Sequence, residues 1–378
     1  MERHYTDTHT AWKYLFSVIF FLSSIILLMP ASARSQELLY YSGRDYGSES
    51  QYNPLTLMLN AGYDIYQTRR DHDIFGFTYE QSANNVFRNL SHPFKAISRY
   101  GWGDFMVEEV FPLTVSMDRA RWYPNYQLHL IGGGVTYSYL TDYFTLHEYS
   151  FPRVWAGITY MSYHLMNEII ENDDYQGYSV DAVSDIYIFD IGGMILFSSP
   201  AVRRFFKTTV IMSDWSMQPA IVFPEGYLEN NGQYFSMKWR FPFRKNRSWH
   251  FFYYYGLNFV VGLSYLHGNG YSLSVGGGVR TKSITVEDTS TNKQSILYVY
   301  TGGIFIDRYN SLLASLIVNY NYYQVFQLNV YPGVLRYGDY TAGLFLALSQ
   351  DYRVLAGATF RCIPGIGYKD RGFYSEVR

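Results

Sequence analysis

Several features that mark other classes of protein are scarce in this chain of 378 residues. Its single cysteine, Cys362, excludes an internal disulfide and a cysteine-based metal site. With 30 basic and 32 acidic residues the formal net charge is -2, so no basic excess indicates a nucleic-acid partner. Beyond Met29, no stretch has the length and uniform apolarity of a transmembrane helix. We therefore expect no disulfide, no nucleic-acid partner and no membrane-spanning helix after that residue.

Tyrosine, by contrast, is abundant, with 40 residues, and aromatic residues make up 20% of the chain. A buried phenol hydroxyl needs a hydrogen-bond partner, so a soluble core has little use for so many of them. Transmembrane β-barrels place aromatic side chains in girdles at both headgroup levels. Hydrophobic residues make up 48% of the chain although the mean hydropathy is only -0.14, so apolar and polar residues are finely mixed. Such mixing is typical of barrel strands.

The N-terminus has the pattern of an export signal. Two basic residues precede an uncharged apolar run over 14–29, and Pro30 ends the run. Small residues before Ser35 suit a signal peptidase, and we predict cleavage after Ser35. The predicted organisation is a signal peptide over 1–35 and an outer-membrane β-barrel domain over 36–378. An uncleaved membrane anchor is the alternative.

Period-two alternation of apolar and polar residues predicts β-strands in many parts of the chain. The clearest segments are 55–63, 126–130, 235–241, 271–276, 326–330, 340–348 and 352–360. Turn signals such as His267-Gly268-Asn269-Gly270 separate them, as in β-hairpins. We predict a mostly β chain that forms a transmembrane antiparallel β-barrel of about 10–14 strands. A soluble β-sandwich would show the same alternation, but the leader and the aromatic excess favour the barrel.

Residues 152–206 break this pattern, because the apolar period changes from two to about three and a half. One predicted helix begins near Pro152, and a second begins near Ser179 or Asp181 and runs towards Gly192-Gly193. The apolar face of the first helix consists of Trp155, Ile158, Met161, Leu165 and Ile169. A further short helix is predicted within 85–100. We expect the 152–206 insertion to plug the barrel, to lie at its periplasmic mouth or to pack on the membrane surface.

The insertion also holds the polar residues best placed for chemistry. His164 and Glu168 are four residues apart and share a helix face, as do Asp181 and Asp185 on the next helix. If the helices pack antiparallel, these side chains converge, which is enough for a His/carboxylate metal site or for general acid–base catalysis. A structural polar network is the favoured interpretation, because no motif here is diagnostic. We therefore assign no catalytic residue, no metal and no cofactor, and keep these four as candidates.

Four short segments form a further pattern in this part of the chain. They are Ser91-His92-Pro93, Tyr163-His164-Leu165-Met166-Asn167-Glu168, Ser184-Asp185-Ile186 and Gly192-Gly193. The pattern resembles an uncharacterised family of exported bacterial outer-membrane β-barrel proteins with a His-Pro turn and an embedded helical segment. The chain departs from that family at Tyr163-His164, where Trp-Glu is usual, and by a long insertion after Pro93. The resemblance spans roughly residues 85–200 and implies location and architecture only.

The predicted function is that of an outer-membrane β-barrel protein that either forms a pore or has a structural role in the envelope. A lipid-modifying enzyme at the membrane boundary is one alternative. A component of envelope assembly or secretion is another. Membrane lipid is the expected partner, with lipopolysaccharide or another envelope protein as further candidates.

Overall fold

The computed structural model describes residues 37–112, 121–241, 248–288, 293–338, 340–361 and 363–375. The predicted signal peptide and Cys362 lie outside the described residues. The chain divides into two compact units. The first, which we call the helical unit, consists mainly of Thr78–Pro200. The second, which we call the β unit, contains Leu39–Phe77, Ala201–Ile284 and Ile296–Arg378.

The described helices are labelled α1 to α8 in chain order, and a π-helical stretch that continues an α-helix is counted as part of it. Their bounds are Pro54–Ala61 (α1), Tyr79–Ser91 (α2), Pro93–Tyr100 (α3), Trp102–Asp104 with a π-helix over Phe105–Val110 (α4), a π-helix over Tyr123–Gly133 that continues as Gly134–Leu146 (α5), Pro152–Asn172 (α6), Asp181–Ser184 with a π-helix over Asp185–Asp190 and then Ile191–Phe197 (α7), and Pro200–Arg204 with a π-helix over Phe205–Thr209 (α8). The predicted helices near Pro152 and near Ser179 or Asp181 are confirmed, and the single short helix expected within 85–100 is divided into α2 and α3 at His92. Among the described helices none alone combines the length and apolarity needed to cross a membrane, and one bent pair, Asp181–Phe197 with Pro200–Thr209, meets the criterion jointly.

The strands form one 13-stranded sheet in the order β1-β4-β5-β6-β7-β8-β9-β10-β11-β12-β13-β2-β3. Their bounds are Ser213–Asp214 (β1), Ala220–Phe223 (β2), Tyr227–Glu229 (β3), Phe235–Arg240 (β4), Trp249–Tyr255 (β5), Asn258–Leu266 (β6), Tyr271–Asp288 (β7), Lys293–Arg308 (β8), Ser311–Asn319 (β9), Phe326–Tyr337 (β10), Tyr340–Leu348 (β11), Val354–Thr359 (β12) and Gly365–Lys369 (β13). The described registers are antiparallel except for the parallel pair of β13 and β2. The order begins at β1 and ends at β3, so these pairings do not close the sheet into a ring. The predicted large β-sheet with helices is confirmed, but the described chain is mixed α/β and not mostly β, because its helices occupy about as much of the chain as its strands.

The sheet departs from the usual distribution of side chains, because one face buries many polar residues beside an aromatic cluster while the other face exposes apolar residues. In β6, Val261 and Leu263 are 56% and 47% exposed, whereas Ser264 is fully buried. In β7, Leu273 is exposed, and buried Ser274 donates its hydroxyl to Ser264 across the strands at 2.8 Å. The other exposed apolar residues of the strands include Trp239, Phe251, Leu297, Ile304, Ile306, Val318, Leu344 and Ile366. Such extended apolar exposure indicates contact with lipid or with another macromolecule.

Alternation in β4 predicts Phe235, Met237 and Trp239 on the lipid face and Lys238 and Arg240 on the inner face, and this prediction holds only in part. Trp239 is exposed and Lys238 is buried, as expected. Phe235, however, is buried against Tyr255 with ring centroids 5.4 Å apart, and Arg240 is exposed. Arg240 ends the strand, where a long side chain can reach solvent.

The segment Leu39–Phe77 packs on the polar face of the sheet. The side-chain oxygen of Gln67 accepts hydrogen bonds from the Tyr234 hydroxyl at 2.6 Å and from Arg280 Nη2 at 2.9 Å, and both donors are buried. The Tyr322 hydroxyl donates to the main-chain oxygen of Gln67 at 2.5 Å. Because buried donors and acceptors need partners, this segment completes the polar face.

The predicted strand over 55–63 is wrong, because helix α1 occupies most of this stretch. Asn53 Oδ1 accepts from the backbone N–H groups of Leu55 and Thr56 at 3.0 and 3.1 Å. The Thr56 hydroxyl in turn accepts from the backbone N–H of Asn53 at 3.2 Å, which completes a capping box. Pro54 sits in the first turn, where a helix needs no N–H. These local signals outweigh the alternation of leucines.

Lys238 in β4 and Asp307 in β8 form a buried ion pair, and changing one partner tests its contribution. Lys238→Met leaves a buried carboxylate without its cation, so we expect the free energy of unfolding to fall by about 3–5 kcal/mol. The double variant Lys238→Met with Asp307→Asn removes both charges. In the unchanged chain the Asp307 carboxylate accepts a hydrogen bond from the backbone N–H of Asn310 at 3.0 Å, and the amide oxygen of an asparagine at 307 can still accept it. The double variant should regain most of the loss in urea titrations followed by tryptophan fluorescence, and equal losses in both variants would contradict the pairing.

Candidate functional site

Five ionisable side chains meet in the interior of the helical unit. They are His129 on α5, His164 and Glu168 on α6, and Asp185 and Asp190 on α7. None of the five is more than 8% exposed. Burial of ionisable groups is costly unless they are paired or bind an ion. We call these residues the His/carboxylate cluster, and they form the candidate site.

Asp190 lies at the centre of the cluster, between the two imidazoles. Its Oδ1 atom is 3.0 Å from His129 Nδ1, and its Oδ2 atom is 3.1 Å from His164 Nδ1. The Tyr160 hydroxyl donates to the same Oδ1 atom at 2.9 Å. Both imidazole Nδ1 atoms therefore point at one carboxylate.

His129 also belongs to a second group of side chains, which contains Glu168 and Asp185. His129 Nε2 lies 3.5 Å from Asp185 Oδ2. Ligand atoms of His129, Glu168 and Asp185 all lie within 4.8 Å of one another, as do those of His129, His164 and Asp190. The cluster is therefore two overlapping His/carboxylate groups that His129 joins.

Glycines allow the helices that carry the cluster to approach closely. A Cβ atom on Gly193 would lie 2.6 Å from the main-chain oxygen of Leu130, and one on Gly133 would lie 1.9 Å from the Tyr160 hydroxyl. A side chain at Gly193 would push α7 away from α5, and a side chain at Gly133 would push α5 away from α6. The glycines thus fix the separation between His129 and its carboxylate partners.

Both π-helical stretches of these helices carry cluster residues. His129 lies in Tyr123–Gly133, and Asp185 and Asp190 bound the other stretch. Single π-helical turns occur frequently at functional sites. The predicted strand over 126–130 is therefore wrong, because five residues are too few to separate a period of two from a helical period.

Burial and neighbouring charge act differently on the two imidazoles. Burial lowers the pKa of His129, but the carboxylates of Asp185 and Asp190 outweigh burial and raise that pKa to about 10. Burial lowers the pKa of His164 to about 3, with Asp190 opposing the shift and His129 adding to it. His129 is therefore charged at neutral pH while His164 is neutral. Burial also raises the pKa of Glu168 and of Asp185.

Three of the four residues predicted from the sequence lie in the cluster. His164, Glu168 and Asp185 converge through His129 and Asp190, as the antiparallel return of the helices suggested. Asp181 does not join them. Its carboxylate lies 3.4 Å from Arg121 Nη1, and Arg121 Nε lies 3.9 Å from Glu109.

Sequence reasoning missed His129 and Asp190, which hold the cluster together. His129 lay in a segment assigned to a strand. Asp185 and Asp190 are five residues apart, a spacing that separates them on an α-helix but brings them together on a π-helical turn. The glycines next to both residues, Gly132-Gly133-Gly134 and Gly192-Gly193, were the available signal of close helix packing.

Comparisons of the chain with protein-family models, with curated proteins and with solved structures find no match. The resemblance to a family of exported barrel proteins therefore stays a prediction.

Removal of one hydroxyl tests whether the cluster stabilises the helical unit. Tyr160→Phe keeps the ring that packs 4.5 Å from the His164 ring but deletes the donor to Asp190. Hydrogen bonds to charged groups contribute about 1.5–3 kcal/mol, so we expect the free energy of unfolding to fall by that amount. Tyr149→Phe, at an exposed tyrosine of the same unit, is the matched control and should leave stability unchanged. Identical urea midpoints for the two variants would argue against the assigned role.

Proposed function

We propose that the protein is an outer-membrane β-barrel protein with a structural role in a bacterial envelope. The observation that carries the proposal is the inverted burial of the sheet. Exposed rows that include Val261, Leu263 and Leu273 suit contact with lipid tails, whereas buried Lys238 and Ser264 suit an enclosed polar interior. The N-terminal export pattern and the tyrosine excess support the same location.

Hydrogen bonds near the two ends of the strand order support a closed barrel. β1 and β2 belong to one continuous stretch over 213–223, and β3 and β4 belong to the next, over 227–240. Between the two ladders, the backbone N–H of Trp215 donates to Tyr234 at 2.8 Å, and that of Met217 donates to Gly232 at 2.9 Å. The two stretches therefore pair with each other along most of their length.

The opposite edge of the first stretch pairs with the last strand, because β2 lies parallel to β13. If each joined stretch is counted once, the 13 strands become 11. In an antiparallel meander with an odd number of strands, the first and last strands run in the same direction, so a parallel seam is required. We infer that the sheet closes at this seam, which removes the open edges that a membrane does not tolerate.

A filled interior supports a structural role over an open pore. The segment Leu39–Phe77 covers the polar face, with Gln67 bonded to Arg280 and Tyr234. Beside it Trp215 and Phe305 pack with ring centroids 5.8 Å apart in a buried aromatic cluster. If the sheet closes, these side chains and the segment lie in the interior through which a channel would run, which favours the structural role.

The His/carboxylate cluster does not favour the lipid-modifying alternative. An enzyme acting on lipid needs its acid, base or nucleophile in contact with the substrate. Every member of the cluster is buried, with at most 8% exposure. The cluster is therefore better suited to holding the helical unit together than to catalysis.

Arginine substitutions on exposed residues distinguish a membrane protein from a soluble one. Arginine on the lipid face at mid-bilayer costs about 2–4 kcal/mol, whereas a surface change in a soluble protein usually costs no more than about 0.5 kcal/mol. We therefore expect Leu263→Arg to lower folding yield and stability in detergent or lipid. Tyr352→Arg is the matched control, because Tyr352 is also exposed but lies in the turn before β12. Tyr352→Arg should fold like the unchanged protein.

Heat-modifiable migration in gels and fractionation with outer membranes measure folding and location in the same samples. The membrane assignment would be contradicted if Leu263→Arg and Tyr352→Arg behaved alike. It would also be contradicted if the protein were recovered as a soluble monomer without detergent.

Planar bilayer recordings test the filled interior separately from membrane insertion. We expect the full chain to float with liposomes, which reports insertion, and to show no stable ion conductance. Flotation together with steady conductance would leave the barrel in place but restore the pore-forming alternative.

A further inference from the structure

The two imidazoles of the His/carboxylate cluster use their ring nitrogens in the same way. Each directs Nδ1 at the Asp190 carboxylate, at 3.0 Å for His129 and 3.1 Å for His164. Each has a different polar neighbour at Nε2. His129 Nε2 faces Asp185 at 3.5 Å, and His164 Nε2 lies 2.7 Å from the Tyr163 hydroxyl.

This division of roles matches histidines that bind metal ions. A metal-bound imidazole almost always donates its second ring N–H to a carboxylate, a carbonyl or another polar group, which fixes its orientation. Asp185 and the Tyr163 hydroxyl occupy those outer positions. The inner positions, both Nδ1 atoms and the Asp190 carboxylate, remain directed at one another.

Two of the inner atoms also have unmet bonding capacity. Neither His164 Nδ1 nor Asp190 Oδ2 makes a hydrogen bond within the described part of the chain, although they lie only 3.1 Å apart. The His164 side chain is nine-tenths or more buried, and the Asp190 side chain is fully buried. A buried acceptor and a buried ring nitrogen without hydrogen bonds are costly unless another group satisfies both.

We propose that His129, His164 and Asp190 bind a divalent metal ion of the zinc class, through both Nδ1 atoms and the carboxylate. The ion would displace the proton that His129 Nδ1 holds in the ion-free cluster, because an imidazole binds a metal only in its neutral form. Imidazole and carboxylate are usual zinc ligands, and tetrahedral ligands at about 2.0–2.1 Å from the metal lie about 3.4 Å apart. The separations of 3.0 Å to Asp190 Oδ1 and 3.1 Å to Asp190 Oδ2 are close to that value, and the three residues can each offer one ligand atom within 4.8 Å of the others. The site is independent of whether the strands cross a membrane.

The burial of the site indicates a structural ion, which joins α5, α6 and α7. Each of these helices contributes one ligand, so the ion would link three elements that are distant in sequence. An ion that binds only the folded state stabilises it by RT ln(1 + [L]/Kd), where [L] is the free ion concentration and Kd its dissociation constant. Chelation should therefore lower the thermal midpoint of the helical unit.

The full chain, without a histidine tag, can be refolded from denaturant with Co²⁺ or Zn²⁺ present, so that burial does not block loading. After gel filtration with a weak chelator, we expect one ion per chain by elemental analysis and the visible absorption of tetrahedral Co²⁺. His164→Gln and Asp190→Asn should lose that ion. Asp185→Asn should keep it with an affinity lowered about 10–100-fold, as for other outer partners of ligating histidines.

Asp181→Asn is the matched control, because Asp181 lies on the same helix as Asp185 and Asp190 but contacts Arg121. It should bind one ion like the unchanged chain. Heat-modifiable migration and circular dichroism identify variants that fail to fold, and the Co²⁺ spectrum of the unchanged chain decides the proposal if both ligand variants fail. A folded, unchanged chain that retains no ion and lacks the spectrum, or a folded Asp190→Asn that retains as much metal, overturns the assignment.

Discussion

The fold depends on partners for polar groups that lie in its interior. Arg280 shows the constraint most clearly, since its guanidinium is almost fully buried on the polar face of the sheet. It donates to Gln67 at 2.9 Å and to the Tyr322 hydroxyl at 3.0 Å, and lies 4.2 Å from the centre of the Tyr322 ring. A buried cation without such partners would cost several kcal/mol. The segment that carries Gln67 is therefore as necessary to the β unit as the strands.

The same constraint explains why apolar side chains lie outside. When polar groups fill an interior, the apolar residues of a period-two strand point the other way. Val261 and Leu263 are exposed for this reason, because Ser264 and its partner Ser274 lie on the inner face.

The sequence predicted elements whose signal is local and failed where the decisive contacts are distant. Alternation along β7, β10 and β11 was sufficient, since each strand shows its own period. Over 55–63 the alternation of Leu55 with Leu57 was misleading, because the capping residues Asn53 and Thr56 act within one turn and favour a helix. No local pattern could place His129 beside Asp190, since 61 residues separate them and only the packing of α5 on α7 brings them together.

The His/carboxylate cluster holds more acidic than basic groups, and its buried negative charge must be balanced. Glu168, Asp185 and Asp190 could carry three negative charges, while His129 is the one imidazole that neighbouring carboxylates hold in its charged form. Such an excess cannot stay buried uncompensated. Protons can remove part of it, and burial raises the pKa of Glu168 and Asp185 in that direction. A divalent cation at Asp190 would balance charge there and would also bind His164 Nδ1, which makes no hydrogen bond within the described residues. A proton on Glu168 or Asp185 would leave His164 Nδ1 without a partner. The orientation of the two imidazoles, and not the charge alone, therefore favours a bound ion.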